Sequence, residues 1–566
     1  MNKKIVIWGA GKIGRGFIAD LFHDAGYTIV FIARNTSSVK RLNEQKQYTI
    51  YKQKTDGTRE QTVVSGYTAL HTSRKDDIIS ELEDCSIMAL SVLPKDIDGF
   101  ADDMISIIKQ RTKAQMYKPL DIIVCANIVD PSEKLTAMVE SKLTETEKAY
   151  VDQYIGFVDA LISRTALDPS EDILKKDPLA VITNGYPDLP LDRAAFKGEI
   201  PQVQGVVLTD NMHALALRKL YTYNMIHALL AYLGYYKGYQ SISESLKDEE
   251  IHQTTKGALE EVGKALAAAY GFTDMEEWNK SAFAVMSNPI LEDPVERVGA
   301  DPTRKLGRND RLTGPALLCK KHGIWPYYIT KAIAHGFLFS PASDANALMV
   351  KEYAQYYGIK EAARKYCGLD MEPEILQLIK RHYDRALRKE SKEDERKVKA
   401  MKDAYHFGFM SEKTYKGCAQ CTLDAMFKLT GKTDEMLFQS ASGFSGGMAI
   451  SGDGVCGGYS GGLMYMGSQV GRRYKEMLEN GDKDAQYMSY TMAQALRERF
   501  LETYGSVICS DVHKQIFGKS FCLRTKAVRN EFEAVGAHST KCTNVVGTAS
   551  AYIAEILYDK GYLKTV

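Results

Sequence analysis

No stretch of the 566 residues stays apolar over the roughly 20 positions needed to cross a bilayer. Net charge is also missing. Lys and Arg total 73 and Asp and Glu 72, which leaves +1 and no global field to favour nucleic acid or a membrane surface. No signal-peptide pattern is present, because Lys3 and Lys4 are followed only by the short run IVIWGAG. A cytoplasmic location is expected. Internal repeats at solenoid spacing and long low-complexity segments are absent. Cysteine is scarce over the first 400 residues, where only Cys85, Cys125, Cys319 and Cys367 occur. A disulfide scaffold is therefore not expected there.

The chain is too long for one hydrophobic core, and two to four domains are expected. The short apolar runs KIVIW, TIVFIA, SIMALSV and DIIVCA alternate with helix-like segments. That alternation predicts a parallel sheet with crossovers, an α/β Rossmann-type domain over residues 1–194. From 195 to 390 the pattern turns helical. NMHALALRKLYTYNMIHALLAYLG (211–234) keeps apolar residues at helical spacing and predicts one continuous helix. The mixed-charge run KRHYDRALRKESKEDERKVKAMKD (380–403) predicts a solvated helix or linker. Residues 404–566 form a third, mostly α-helical segment rich in glycine and cysteine.

Gly9, Gly11 and Gly14 spell GxGxxG directly after the first apolar run. In such a turn the first glycine allows the bend, the second admits a pyrophosphate, and the third lets helix pack on strand. Gly9, Ala10, Gly11, Lys12, Ile13 and Gly14 are therefore the expected cofactor cradle, with helix N–H groups facing the phosphates. NAD-binding turns usually carry an acid about twenty residues on. Here FIARNTSS places Ala33 and Arg34 in that region. An arginine with Asn35, Thr36, Ser37 and Ser38 beside it could hold a 2′-phosphate, or it could be a solvent-facing loop residue. NAD and NADP both stay open.

RKLYTYNMIH (218–227) carries Lys219, Asn224 and His227. On one helix they would fall within an arc of roughly 140°, with about 12 Å of rise between Lys219 and His227. Such residues are common on any amphipathic helix. Longer segments carry more information. GAGKIGRGFIADLFHDAGY, GFVDALISR (156–164), LTDNMHALALRKLYTYNMIHALLAYLG (208–234) and NPILEDPVERVGADPTRKLGRNDRL (288–312) resemble, in order and spacing, the mannitol-1-phosphate 5-dehydrogenases within the polyol-specific long-chain dehydrogenases. The resemblance covers about the first 385 residues. It implies a Rossmann domain followed by an all-helical domain, and a hydride transfer that needs no catalytic metal. It implies Lys219 as general acid/base, Asn224 and Asn127 as donors to the reacting oxygen, and His227 as the group orienting the sugar chain. Asn127 would also sit at the cofactor junction.

Three positions depart from the family pattern. Ala126 stands where relatives commonly have an acid, Ala216 and Leu217 precede Arg218 where a Glu is frequent, and Ala33 replaces the acid after the second strand. They bear on proton relay, cofactor choice and substrate. VERVGADPTRKLGRNDRL supplies Arg297, Arg304, Lys305, Arg308 and Arg311, residues suited to a phosphate or to a solvated basic loop. By resemblance Arg311 is the first candidate for substrate contact, with Arg304, Lys305 and Arg297 behind it. Asp159 and Arg164 are expected to support the site from behind.

The tail holds Cys418, Cys421, Cys456, Cys509, Cys522 and Cys542. KGCAQCTLDAMF (416–427), GDGVCGGYSGGLMYMGSQVG (452–471), GSVICSDV (505–512) and KCTNVVGTASAYIAEIL (541–557) resemble the small proteins named for a C-GCAxxG-C-C pattern, whose implied activity is redox. Cys418, Cys456, Cys509 and Cys542 match its main cysteines, while Cys421 and Cys522 look additional. A redox dithiol at Cys418-x2-Cys421, a metal or iron–sulfur site with Cys456, Cys509 and Cys542, and buried inert thiols all remain open.

The combined expectation is an oxidoreductase acting on a small polyol or sugar phosphate, mannitol 1-phosphate and fructose 6-phosphate, with NAD(P)(H) and a redox-like tail. Other polyol or hexuronate (mannonate- or altronate-type) reductases and a nucleotide-binding redox sensor are the alternatives. Neither nucleic acid nor membrane is an expected partner, and oligomeric state is open.

Overall fold

The computed structural model describes residues 3–53, 58–126, 129–167, 169–287 and 293–563. The chain divides into two compact units, up to Lys219 and from Leu220 onward.

Among the described residues, the first unit is built on twelve strands. They are β1 (Lys4–Trp8), β2 (Thr28–Ala33), β3 (Gln47–Gln53), β4 (Arg59–Ser65), β5 (Thr68–His71), β6 (Ile87–Leu90), β7 (Leu120–Val124), β8 (Ile155–Asp159), β9 (Ala166–Leu167), β10 (Val181–Thr183), β11 (Leu189–Asp192) and β12 (Val206–Thr209). Six form a parallel sheet in the order β5-β2-β1-β6-β7-β8. This is the doubly wound order of a dinucleotide fold, with its reversal between β1 and β6. The strands read as unbroken apolar runs because both sheet faces are covered. Val6, Trp8, Val30, Ile32, Met88 and Leu90 face one core, and Ile5, Ile7, Ile29, Phe31, Ile87 and Ala89 face the other.

The four apolar runs noted above become β1, β2, β6 and β7. β5 and β8 extend the sheet at its two edges. A second sheet, β4-β3-β10-β9, and a parallel pair, β11-β12, were not anticipated. β3 and β4 alternate polar and apolar residues too weakly to stand out, and β10 pairs with β3 across about 130 residues of chain.

The second unit is helical. Among its longer helices are Tyr223–Lys237, Glu249–Tyr270, Tyr327–Gly336, Pro373–Leu387, Glu395–Tyr415, Cys418–Thr430, Gly457–Val470, Lys483–Tyr504 and Cys542–Asp559. One core runs through it, from Trp325, Tyr327 and Leu378 to Met401, Tyr405, Phe500 and Tyr552. The Cys542–Asp559 helix is buried from Thr543 to Leu557. Its buried charged member, Glu555, binds Arg381 at 2.8 Å, Lys397 at 3.4 Å and Arg499 at 3.2 Å. Arg381 also pairs with Glu393, and Lys402 reaches the buried Glu261 at 2.9 Å. The mixed-charge run over 380–403 is therefore not a simply solvated segment. Its charges lock the cysteine-rich tail onto the helices that precede it. Among the described residues, no helix is long and apolar enough to cross a membrane.

Candidate active site

β1 delivers the chain to the reversal point of the sheet, where Gly9 takes φ +110° and donates its N–H to the Ile32 carbonyl at 2.8 Å. A Cβ on Gly9 would overlap the Ser91 carbonyl oxygen, and one on Gly14 would overlap the Gly9 carbonyl oxygen. Gly11 is different, since a Cβ there meets nothing within 4 Å. The fold itself demands the outer two glycines, while the middle one keeps a space clear. Lys12 is exposed in this turn, with Ala10 and Ile13 half-buried. The chain continues through a π-helical turn, Gly14–Ile18, into the Ala19–Asp24 helix.

Arg164 braces this helix from below. It donates to the Tyr186 carbonyl at 2.7 Å and the Gly16 carbonyl at 3.1 Å, pairs with Asp20, and lies 4.4 Å from the Phe17 ring. Lys52 reaches the same Asp20 at 2.8 Å. Asp159, at the end of β8, accepts from the Ser132 backbone and hydroxyl at 2.8 and 2.7 Å. Burial raises the Asp159 carboxyl above its ordinary range, and these bonds only partly offset that.

Arg34, at the end of β2, is 70% exposed, and its guanidinium pairs with Asp96 at 2.9 Å. Asn35 is committed to capping the Thr36–Gln45 helix, accepting from Ser38 N–H at 2.9 Å. The arginine beside the expected ribose site thus carries an acid of its own. Asp96 follows β6, and no local pattern in the sequence pointed to it.

Lys219 is half-buried on the Met212–Tyr221 helix, and its ammonium donates to the Ile162 carbonyl. The single helix expected over 211–234 is broken. Thr222 takes φ −115°, ψ −81°, and its hydroxyl accepts from Trp278 Nε1 at 2.8 Å. Lys219 and the Asn224–His227 pair therefore sit on successive helices, and the one-helix arc does not apply. Asn127 lies outside the described residues.

Asn224 and His227 are half-buried on the Tyr223–Lys237 helix. His227 Nε2 is 3.0 Å from Asp293, which also holds Arg297. Burial would raise Asp293, but His227 and Arg297 keep it below the usual carboxylate range. Arg297 therefore belongs with His227 rather than with the other cations. Those gather around Asp310, which Arg311 contacts at 2.7 Å and Arg304 at 3.5 Å. Lys305 is buried beside them and donates to the Ala300 carbonyl. Burial, then Arg311 and Arg304, lower Lys305 to about 7. Burial also raises Tyr232, on the Asn224–His227 helix, which lies in the field of Arg311, Asp301 and Arg304. Arg308 turns to the Gly368 carbonyl and Glu372 instead.

In the tail, four cysteines stand at four helix starts. Cys418, Cys509 and Cys542 open Cys418–Thr430, Cys509–Phe517 and Cys542–Asp559, and Cys456 caps Gly457–Val470. The chain between them makes a left-handed turn, with positive φ at Gly446, Gly447, Met448, Ala449 and Ile450. For a β-branched residue such as Ile450 that conformation costs about 1–2 kcal/mol. The turn is held by bonds from Ile450 N–H to Ser445 and from Gly454 N–H to Gly447. His513 joins this group without any sequence signal. It is 3% exposed, with Nε2 3.5 Å from Cys509 Sγ and 3.9 Å from Cys542 Sγ. Burial lowers it to about 4, so the imidazole is neutral. Cys421 is buried one turn into its helix, and Cys522 is exposed. Among the described residues, no set of three or more His, Cys, Asp or Glu side chains is gathered to hold a metal ion.

Comparison with known proteins matches three segments of the chain. The family described as "Mannitol dehydrogenase Rossmann domain" matches residues 3–205, and "Mannitol dehydrogenase C-terminal domain" matches 211–406. "Putative redox-active protein (C_GCAxxG_C_C)" matches 417–556. A mannitol-1-phosphate 5-dehydrogenase of Caldanaerobacter subterraneus subsp. tengcongensis is 32% identical over 385 residues, 67% of this chain and 97% of that protein. The enzyme of that name from Brevibacillus brevis is 33% identical over 366 residues, 64% and 93% of the two chains. In fold, the chain is similar to Pseudomonas fluorescens mannitol 2-dehydrogenase, solved with NAD and D-mannitol. The TM-score is 0.57 at 16% identity, covering 68% of this chain and 92% of that one. A D-sorbitol dehydrogenase gives a TM-score of 0.53 at 15% identity, covering 64% and 95%. The chain belongs to the mannitol dehydrogenase family, with a C_GCAxxG_C_C domain joined behind that family's two domains.

Proposed function

We propose that the chain interconverts mannitol 1-phosphate and fructose 6-phosphate by hydride transfer with NAD(H) or NADP(H). The observation that carries the phosphate part is the gathering of Arg304, Lys305 and Arg311 around Asp310, in the field of the helix that bears Asn224 and His227. Three cations in one place suit the oxygens of a phosphate monoester. The similarity to mannitol-1-phosphate 5-dehydrogenases supports mannitol 1-phosphate as one member of the pair.

The nicotinamide, when bound, accepts or supplies the hydride. The space beside Gly11 would suit the pyrophosphate of the cofactor, and the N–H groups that follow Gly11 would be its donors. Lys219 takes the proton of the substrate hydroxyl during oxidation and returns it during reduction. Asn224, and Asn127 by the family pattern, donate to the reacting oxygen as it gains negative charge. His227, fixed by Asp293, orients the polyol chain. Arg311, with Arg304 and Lys305, takes the phosphate. The tail acts in redox chemistry through its thiols.

The test is a matrix of NADH and NADPH against fructose 6-phosphate, fructose and keto-uronates. Fructose 6-phosphate is expected to be reduced far faster than fructose. Lys219→Ala is expected to lower turnover by about 10²–10⁴-fold. Equal rates on fructose, a preference for a keto-uronate, or an unimpaired Lys219→Ala enzyme would each overturn the assignment.

A further inference from the structure

Cys418 and Cys421 occupy the first and fourth positions of the Cys418–Thr430 helix. Helix geometry sets their Cα atoms about 5 Å apart, inside the window for a disulfide. As whole residues Cys418 is partly exposed and Cys421 is buried, which makes Cys418 the one assigned to meet a partner first. The Gly446 N–H donates to Cys418 Sγ at 3.4 Å and supports negative charge on that sulfur, while the Ala419 N–H is taken up by Ser445 Oγ at 3.3 Å. Cys421 donates its thiol proton to the Lys416 carbonyl at 3.3 Å.

Behind this pair stands Glu412, near the end of the Glu395–Tyr415 helix and 2% exposed. Its Oε1 is 3.5 Å from His538 Nε2. Its Oε2 is buried and has no hydrogen-bond partner. An unused oxygen on a buried carboxylate costs stability, which a fold tolerates where the group has work to do. The charged and titratable groups facing Glu412 are Lys416, Glu533 and His538, with the thiols of Cys418, Cys421, Cys456 and Cys542. Burial lifts Glu412 to about 7, with Cys421 and Lys416 drawing it partly back. Burial and then the Glu412 charge hold both Cys418 and Cys421 above the ordinary thiol range. These thiols are therefore protonated at neutral pH and need a base close by.

We propose that Cys418 and Cys421 form a dithiol–disulfide couple in which Glu412 accepts the proton of the buried thiol. This rests on the redox role proposed above for the tail. The oxidant is a low-molecular-weight or protein disulfide, RS–SR. Cys418 Sγ attacks one of its sulfurs, the RS–SR bond breaks, and the first RS⁻ leaves with the proton that Cys418 gives up. Cys421 then passes its proton to the Glu412 carboxylate, with which its thiol interacts, and attacks Cys418 Sγ. The internal disulfide forms, and the second RS⁻ leaves and takes that proton from Glu412. Two thiols lose two electrons and two protons, and one disulfide becomes two RSH. The second proton moves without adding charge to the interior, because carboxylate and thiolate are never both present.

The full-length protein is equilibrated with reduced and oxidised glutathione, and its disulfides are mapped by peptide mass spectrometry. Closure of the mixed disulfide is timed from pH 5.5 to 9. Wild type is expected to form Cys418–Cys421, with a closure rate that rises through pH 7, where Glu412 loses its proton. Cys421→Ser should stop at a Cys418 mixed disulfide. Glu412→Gln should form the same bond at least about tenfold more slowly at pH 7 and lose that inflection. Absence of the Cys418–Cys421 bond in wild type overturns the couple and the redox role of these thiols. A bond that forms while Glu412→Gln keeps the wild-type rate and profile overturns the role of Glu412 alone. Should Glu412→Gln fail to fold, the wild-type profile decides, and the absence of an inflection near pH 7 overturns the proposal.

Discussion

Replacing each glycine of the dinucleotide turn by alanine separates what the fold needs from what the cofactor needs. At Gly9 the backbone sits at φ +110°, and an added Cβ overlaps the Ser91 carbonyl oxygen and lies 2.7 Å from its carbon. The unfavourable φ costs about 1–2 kcal/mol, and forcing a methyl against backbone about 1–3 more. Together they remove about 3 kcal/mol from the first unit. For a unit of this size that is a fall in melting temperature of about 6–12 °C. Gly14→Ala meets the Gly9 carbonyl oxygen and should behave similarly. Gly11→Ala meets nothing within 4 Å and has no positive φ, so its melting temperature should stay within about 2 °C of wild type. Its methyl nevertheless occupies the space left for the pyrophosphate, and NAD(P)H affinity should fall at least about tenfold, or 1.4 kcal/mol. The assays are differential scanning calorimetry and fluorescence titration with NADH and NADPH. A Gly11→Ala protein that binds cofactor normally, or a Gly9→Ala protein that melts like wild type, would refute the reasoning.

Four further outcomes are expected. Burial and the neighbouring Arg311 and Arg304 set Lys305 at about 7, so its charge is present below pH 7 and lost above it. The KM for fructose 6-phosphate should therefore rise by about tenfold as pH increases through 7, and steady-state kinetics with Lys305→Met should show a flatter profile. Asp96→Asn releases Arg34, and the NADPH-to-NADH ratio of kcat/KM should move toward NADPH by about threefold, read in parallel assays. Glu555→Gln leaves Arg381, Lys397 and Arg499 without their common partner and should cost about 3 kcal/mol, lowering the melting of helical domain and tail together in calorimetry. In wild type the same network weakens in acid. Burial alone would raise Glu393, but Arg381 holds it at about 2, so its contribution is full above the unfolded value near 4.5 and is lost as pH falls toward 2.

The legible parts of the fold were those written in local pattern. β1, β2, β6 and β7 are apolar runs bounded by turn residues, and a sheet covered on both faces needs such runs. GxGxxG is a pattern of backbone demands, and its three glycines differ in the way those demands require. Features that depend on distant partners were not legible. The helix break at Thr222 involves Trp278, 56 residues on, and nothing near 222 signals a stop. The run over 380–403 reads as a polar surface because Glu555 and Glu261, which give its charges a buried role, lie far away in sequence. His513 and Glu412 are single polar residues on amphipathic helices, a pattern that ordinary surface helices share. Only folding brings them against the cysteines.

The proposed dehydrogenase recognises its substrate by a phosphate. The most direct measurement of this is kcat/KM for fructose 6-phosphate against fructose, with saturating NADH or NADPH, in wild type and in Arg311→Ala. The account predicts a preference for the phosphate of at least about 10²-fold, corresponding to 2.7 kcal/mol, which Arg311→Ala largely removes by raising KM. Equal use of the two sugars by wild type, or an Arg311→Ala enzyme that keeps the full preference, would contradict it.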